Sequence, residues 1–186
     1  MKFIFFILNL FFKKNIGSVG KNVLIKPWPN FCGQQLLKIG NNVNFGAFIR
    51  INIINDKKNI NINNSGNSKK VFKVVIKDGV SIGSGSFISA NNYIEIGKNC
   101  IFSKDVFVTD HDHLFFKNMS LSSCQVTFGK KTIIGDNVFV GTKASILKGV
   151  TIGKNSVIGA NSVVTKDVPE NSIFAGNPAI FIKNLE

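Results

Sequence analysis

The chain has two histidines, His111 and His113, and they stand two positions apart in the run "VTDHDHLFF" (108–116), alternating with Asp110 and Asp112. Three kinds of chemistry are open to such a run. A neutral imidazole can take a proton from a hydroxyl near neutral pH and hand it to a leaving group. The H-x-H pair can give a metal two nitrogen ligands, one short of the three that catalytic zinc usually takes from protein. Alternating aspartates can also mark a polar turn whose carboxylates accept backbone hydrogen bonds. In an extended segment, residues two apart face the same side, so both imidazoles can line one cleft.

Composition narrows the partners. Hydrophobic residues make up 44% of the chain and charged residues 18%, which suits one folded domain over residues 1–186. A net charge of +13 favours polyanions, an anionic membrane surface or phosphorylated small molecules. The lysines are dispersed and match no nucleic-acid-binding motif, so a phosphorylated cofactor or a membrane surface is expected and nucleic acid is not. Cys32, Cys100 and Cys124 are odd in number and lack C-x-x-C spacing. That argues against a disulfide framework and a structural zinc site, and fits the reducing cytoplasm. The apolar N-terminal segment (1–15) runs from Phe3 to Phe12 and closes with Lys13 and Lys14. It is too short to span a bilayer and no small-residue cleavage site follows it. Either it covers the open end of the fold, or residues 3–14 make a peripheral membrane contact with a basic rim.

The elements that must hold the histidines follow from a period of six. Ile134, Val140, Ile146, Ile152, Ile158 and Val164 recur at that spacing. Gly135, Gly141, Gly153 and Gly159 follow four of them. Val138, Ala144, Val150, Ser156 and Ser162 stand four residues after the first five. Ile76, Ile82, Ile88 and Ile94 repeat the phase. After a two-residue shift come Ile96, Phe102 and Val108, and earlier sets are Ile39, Phe45, Ile51 and Val19, Ile25. Neither a helix nor a plain alternating strand has this period. One short strand plus one turn per six residues does. Three such units close a triangular coil, and coils stack at strand spacing, so the pattern predicts an all-β, parallel β-helix. Two stretches leave the pattern: an Asn/Lys-rich loop at 52–70, and a second loop at 109–131. Long aperiodic loops are often functional, and both histidines sit at the base of the second.

Two segments carry a family resemblance: "IEIGKNCIFSKDVFVTDHDH" (94–113) and "IIGDNVFVGTKASILKGVTIGKNSVIGANSVVTKDVPENSIFAGNPA" (133–179). They resemble the hexapeptide-repeat acyltransferases, of the sugar O-acetyltransferase type that includes maltose and galactoside acetyltransferases. The repeats run through most of the chain, and the ending "IGANSVVTKDVPENSIFAGNPA" is the more specific part.

The resemblance implies a left-handed β-helix assembled as a homotrimer, with acetyl-CoA in a cleft between neighbours and a saccharide hydroxyl as acceptor. The family histidine closes the hexapeptide that begins here at Val108, which points to His113 as the base and to His111 as the second candidate. By the same resemblance the Thr142 N–H meets the carbonyl oxygen, and Ala160, Thr165 and Lys166 hold the pantetheine arm and phosphates. Asn91, Asn92 and Asp110 are the acceptor-side candidates. Asp110 and Asp112 can equally serve as loop hydrogen-bond acceptors, and Asn91 and Asn92 as ordinary corner residues. Phe139 and Ile180 depart from residues that many relatives carry, with Lys183 a substitute for part of the nucleotide grip. Cys100 falls on a small inward position and reads as core. No metal is expected.

Three other readings are weighed against O-acetylation. N-acetylation of an amino sugar is disfavoured because no G-x-G-x-x-G follows a strand, and residues 1–38 are short for a nucleotide-binding domain. A metal enzyme resembling the hexapeptide carbonic anhydrases, which use three histidines, would need a cysteine or carboxylate to complete the ligand set here. A non-catalytic β-helix would bind no CoA.

Overall fold

The computed structural model describes residues 13, 15–54, 71–117, 125–127 and 129–186. Most of the apolar N-terminal segment, most of the 52–70 loop, the crest of the 109–131 loop and Cys124 lie outside the described residues.

The six-residue period becomes three parallel sheets that share one interior. Face A stacks Ser18–Val19, Leu37–Ile39, Val74–Ile76, Ile94–Ile96, Thr132–Ile134 and Thr151–Ile152. Face B stacks Leu24–Ile25, Asn44–Phe45, Ser81–Ile82, Ile101–Phe102, Phe139–Val140, Val157–Ile158 and Ser172–Ala175. Face C stacks Asn30–Cys32, Arg50–Ile53, Phe87–Ala90, Phe107–Thr109, Ser145–Ile146 and Val163–Val164. The result is a left-handed, all-β parallel β-helix, and among the described residues the helical exceptions are Lys13 and a 3-10 turn at Gln34–Leu36. One strand runs the other way: Ile180–Asn184 pairs antiparallel with Ser172–Ala175 and closes the end of face B.

Register carries the aliphatic period into three inward columns. On face A, Ile39, Ile76, Ile96, Ile134 and Ile152 are partners in turn. Face B aligns Ile25, Phe45, Ile82, Phe102, Val140 and Ile158. Face C aligns Ile51, Ile88, Val108, Ile146 and Val164. Every one of these side chains is buried. Full burial of a Val, Ile or Phe contributes about 1.5–3 kcal/mol, so repetition supplies the stability that no single coil could. The small residues four places on, Val138, Ala144, Val150, Ser156 and Ser162, are buried as well and fill the corners.

Asparagine explains how the corners turn. On the edge between faces A and B the chain enters the left-handed region at Asn22, Asn42, Asn99, Asn137, Asn155 and Asn171, with φ between 54° and 58°. Asparagine tolerates that conformation better than other side-chain-bearing residues. Its amide also extends the stacking: Asn137 Nδ2 donates to Asn155 Oδ1 (3.1 Å) and Asn155 Nδ2 to Asn171 Oδ1 (2.9 Å).

The two-residue phase shift between Ile94 and Ile96 has a location. Face C strand Phe87–Ala90 runs long, the corner that follows is widened by Asn91 and Asn92, and both Ile94 and Ile96 are buried in the next face A strand. This widened corner lies directly over the start of the 109–131 loop, since Ser89 pairs with Thr109.

Candidate active site

The site grows out of the last regular turn of face C. Strand Phe107–Thr109 ends at Asp110, whose side chain is fully buried. Its carboxylate is held by the widened corner above: Oδ1 accepts from Asn91 N–H and Oδ2 from Asn92 N–H, each at 2.8 Å. The same Oδ1 lies 2.9 Å from His111 Nδ1. An ionised carboxylate can only accept, so it selects the tautomer with the hydrogen on Nδ1, and in the neutral ring that leaves the lone pair on Nε2. His111 is 9% exposed. Thr109 Oγ1 steadies the turn from the other side, accepting from His111 N–H (3.3 Å) and donating to the His111 carbonyl (3.2 Å).

The two asparagines fasten the returning loop as well. Asn91 Nδ2 donates to the Thr127 carbonyl (2.9 Å) and Asn92 Nδ2 to the Gly129 carbonyl (2.7 Å). Asn91 Oδ1 is buried and has no donor among the described residues. Lys73 Nζ donates to the carbonyls of Ile54 and Asn91, each at 2.7 Å, which ties the corner to the preceding coil. Residues 112–114 and 125–127 run past each other in an antiparallel ladder, with Thr127 N–H donating to the Asp112 carbonyl and Leu114 N–H to the Gln125 carbonyl. His113 lies in that ladder opposite Val126 and is exposed, its ring 6.4 Å from that of Phe115.

The expectation that the two imidazoles share a side is therefore corrected. The turn at Asp110 ends the extended run, so His111 is buried against a carboxylate and His113 faces solvent. Asp112 is also exposed and pairs with Lys148 Nζ from the next coil. Lys148 was not singled out in the sequence, because the contact crosses 36 residues of chain and shows only when coils are counted. Thr109, Thr127 and Thr132 were missed for the same reason. Thr132 Oγ1 donates to the Thr109 carbonyl (3.0 Å), which links the loop's two ends.

The remaining candidates fall on two different edges. Thr165 and Lys166 are exposed and follow the face C strand Val163–Val164, on the same C/A edge as His111. Thr142 and Ala160 follow face B strands in adjacent coils, on the B/C edge. Thr142 accepts from Asn161 N–H (2.8 Å) through its carbonyl. Among the described residues, no acceptor meets its own N–H. Phe139 is 41% exposed beside it and Ile180 is 62% exposed. Cys100 is buried in the core, where burial pushes its thiol up to about 11, and its Sγ donates to the Gly135 carbonyl at 3.0 Å. Among the described residues, no group of three or more His, Cys, Asp or Glu side chains is arranged to hold a metal, and no helix is long and apolar enough to cross a membrane.

The coil, its register and its corners are those of stacked six-residue repeats. Residues 131–166 match the family model described as bacterial transferase hexapeptide, six repeats. Over 117 residues the chain is 34% identical to WbbJ of Escherichia coli K12, a candidate O-acetyl transferase of lipopolysaccharide biosynthesis, covering 59% of this chain and 60% of that protein. Matched stretches span 60%, 62% and 41% of the lengths of three curated relatives. The solved galactoside acetyltransferase in complex with coenzyme A superposes with a TM-score of 0.59 at 25% identity, over 96% of this chain and 70% of that one. AntD, an N-acyltransferase from Bacillus cereus, shares the fold with a TM-score of 0.77 at 22% identity, over 96% and 89% of the two chains.

Proposed function

We propose that the protein is an acetyl-CoA-dependent O-acetyltransferase acting on a saccharide, a precursor of a surface glycan, with His111 as general base. The observation that carries this reading is the buried Asp110–His111 pair. It presents a fixed imidazole whose Nε2 has no partner among the described residues, at the foot of a loop, as abstraction of a hydroxyl proton requires. WbbJ and galactoside acetyltransferase support the reaction class and the donor.

The steps balance without a covalent enzyme intermediate. The acceptor oxygen attacks the thioester carbonyl carbon while its proton passes to His111 Nε2. The carbonyl oxygen gains negative charge and is met by Thr142 N–H, a free backbone donor. The C–S bond then breaks and the thiolate takes the proton from the imidazolium, leaving an acetyl ester and the free thiol of CoA. Asp110 stabilises the imidazolium while it exists. Ala160, Thr165 and Lys166 hold the cofactor, with Lys166 beside a phosphate. Asn91 and Asn92 act as positioning residues for Asp110 and the loop.

A homotrimer belongs to this reading. His111 and Thr142 stand on different edges of the prism with face C between them, so one chain cannot bring both to one thioester, whereas neighbouring copies can. We place the protein in the cytoplasm, where acetyl-CoA is available.

Transfer of radiolabelled acetyl to a panel of hydroxyl and amino saccharides tests the proposal. His111→Ala should lose about 10²–10⁴-fold in kcat, and His113→Ala should stay within about threefold of wild type, the range left to an exposed residue that makes no contact with the reacting atoms. Full turnover in His111→Ala removes the mechanism, and transfer confined to amines removes the O-acetylation.

A further inference from the structure

The acetyl-transfer reading uses the B/C edge only from Thr142 onward, yet that edge is shaped far beyond it. A groove of about 400 Å³ follows it from Lys26 past Asn44, Gly46 and Ser84 to Lys104 and Thr142. Those residues belong to five successive coils, so the backbone that lines the groove spans about 19 Å at strand spacing. Its floor is small of necessity. A Cβ on Gly46 would stand 2.4 Å from Ser84 N, and one on Gly83 2.3 Å from the Ser103 carbonyl oxygen.

Lys26 and Lys104 rim the groove. Both are exposed, and neither has an ion-pair partner among the described residues. Asn44 lines the wall, and its Oδ1 is buried with no donor among the described residues. Beside the Lys26 end stand Trp28 and Phe48, one coil apart in the same column, 69% and 59% exposed. Both occupy the left-handed region, with φ 65° and 58°. Later coils fill this corner with Gly85, Asp105, Lys143 and Asn161. Bulky residues in that region are outliers. In the single chain these two large aromatic faces stand exposed against backbone preference, on the edge that a neighbouring copy would border, and so offer a surface to a ligand held in that cleft.

We propose that this groove binds the acceptor as an extended acidic saccharide. Trp28 and Phe48 stack on sugar rings at the far end, Lys26 and Lys104 meet carboxylate or phosphate groups, and the reacting hydroxyl reaches the thioester at Thr142. The direction follows from Ala160, which lies one coil beyond Thr142 on the opposite side and takes the cofactor arm. The inference rests on the acetyltransferase reading for that polarity and adds the charge and length of the substrate.

Trp28 is the single tryptophan of the chain, so its fluorescence reports the groove directly. The full-length protein, with no acyl donor present, is titrated with an oligogalacturonate, a phosphorylated oligosaccharide, a neutral maltooligosaccharide of equal length, and monomeric galacturonic acid. At least one acidic oligomer should saturate the signal, and the tighter of the two names the anionic group. The neutral oligomer and the acidic monomer should bind at least about tenfold more weakly, and Lys26→Ala or Lys104→Ala should each weaken the acidic oligomer about tenfold. Phe48→Ala should weaken it too, with thermal unfolding midpoints checking that each variant is folded. Equal affinity for neutral and acidic oligomers, a monomer as tight as the oligomer, no binding at all, or unchanged affinity in both lysine variants overturns the proposal. Binding is read without turnover, so its failure is distinct from retained acetylation in His111→Ala.

Discussion

Asp110 joins two levels of the molecule through one carboxylate. Its oxygens stitch the widened corner at Asn91 and Asn92 to the coil below, and the same group fixes His111 Nδ1. An amide in its place keeps the shape but sets an NH₂ against a backbone donor or against Nδ1–H. Asp110→Asn should therefore lower kcat about 10²-fold or more, with the acetyl-CoA KM changed little. In ¹⁵N spectra the proton of the His111 ring should leave Nδ1, a signature that general destabilisation would not produce. Cys100 makes a simpler residue-scale case. Its folded pKa of about 11 stands above the ordinary 9.0 because burial disfavours the thiolate. As pH rises from 9 to 11 the unfolded chain loses its proton first, so stability present below pH 9 declines across that window, by on the order of 2 kcal/mol. Urea unfolding at pH 8.5 and 10.5 should show a smaller difference for Cys100→Ala than for wild type.

At the scale of the elements, the coil was legible because burial on three faces imposes one aliphatic residue every six. Val19 through Val164 kept their phase wherever the chain stayed on the coil. The corners were harder to read. Nothing in the aliphatic period marks them, yet Asn137, Asn155 and Asn171 form a hydrogen-bonded stack of left-handed turns. Asn155→Ala should cost about 1–2 kcal/mol, since alanine pays for the left-handed turn and loses both amide bonds. Asn155→Gly should cost less, because it keeps the turn and loses only the bonds. Chemical denaturation of the two variants checks the order. The candidate site was half legible. Its place at the loop base followed from where the period breaks, but the partners of Asp110 did not, because a hydrogen bond between residues 91 and 110 exists only once the two-residue shift is laid into a corner. Counting in sixes past Val108 favoured His113, and that count runs through a turn that the sequence did not announce.

For the whole molecule, the division of residues between the C/A and B/C edges is the fact with most reach. If a complete site needs one edge from each of two copies, then two differently crippled chains should repair each other. In the proposed site His111→Ala spoils the C/A edge, and Ala160→Trp blocks the cofactor groove assigned to the B/C edge. Each alone should be inactive, and their co-assembled mixture should recover a measurable fraction of wild-type acetyl transfer, because some interfaces pair two intact edges. Absence of recovery in a mixture shown to exchange subunits would place the site within one chain.

The three edges also differ in how freely their length can change. Between faces A and B, and between B and C, the spacing stays locked to the six-residue count from Thr132 to Val164. Every expansion of the described coils falls on the third edge: the 3-10 turn at Gln34–Leu36, the chain between Ile53 and Val74, the Asn91–Asn92 corner, and the chain between Thr109 and Thr132. An insertion there displaces no inward column, because the next strand re-enters face A in register. The molecule thus confines its capacity for variation to one seam, the one that carries His111. Segments of new length or composition can be exchanged along that seam while the scaffold that aims the imidazole stays as it is.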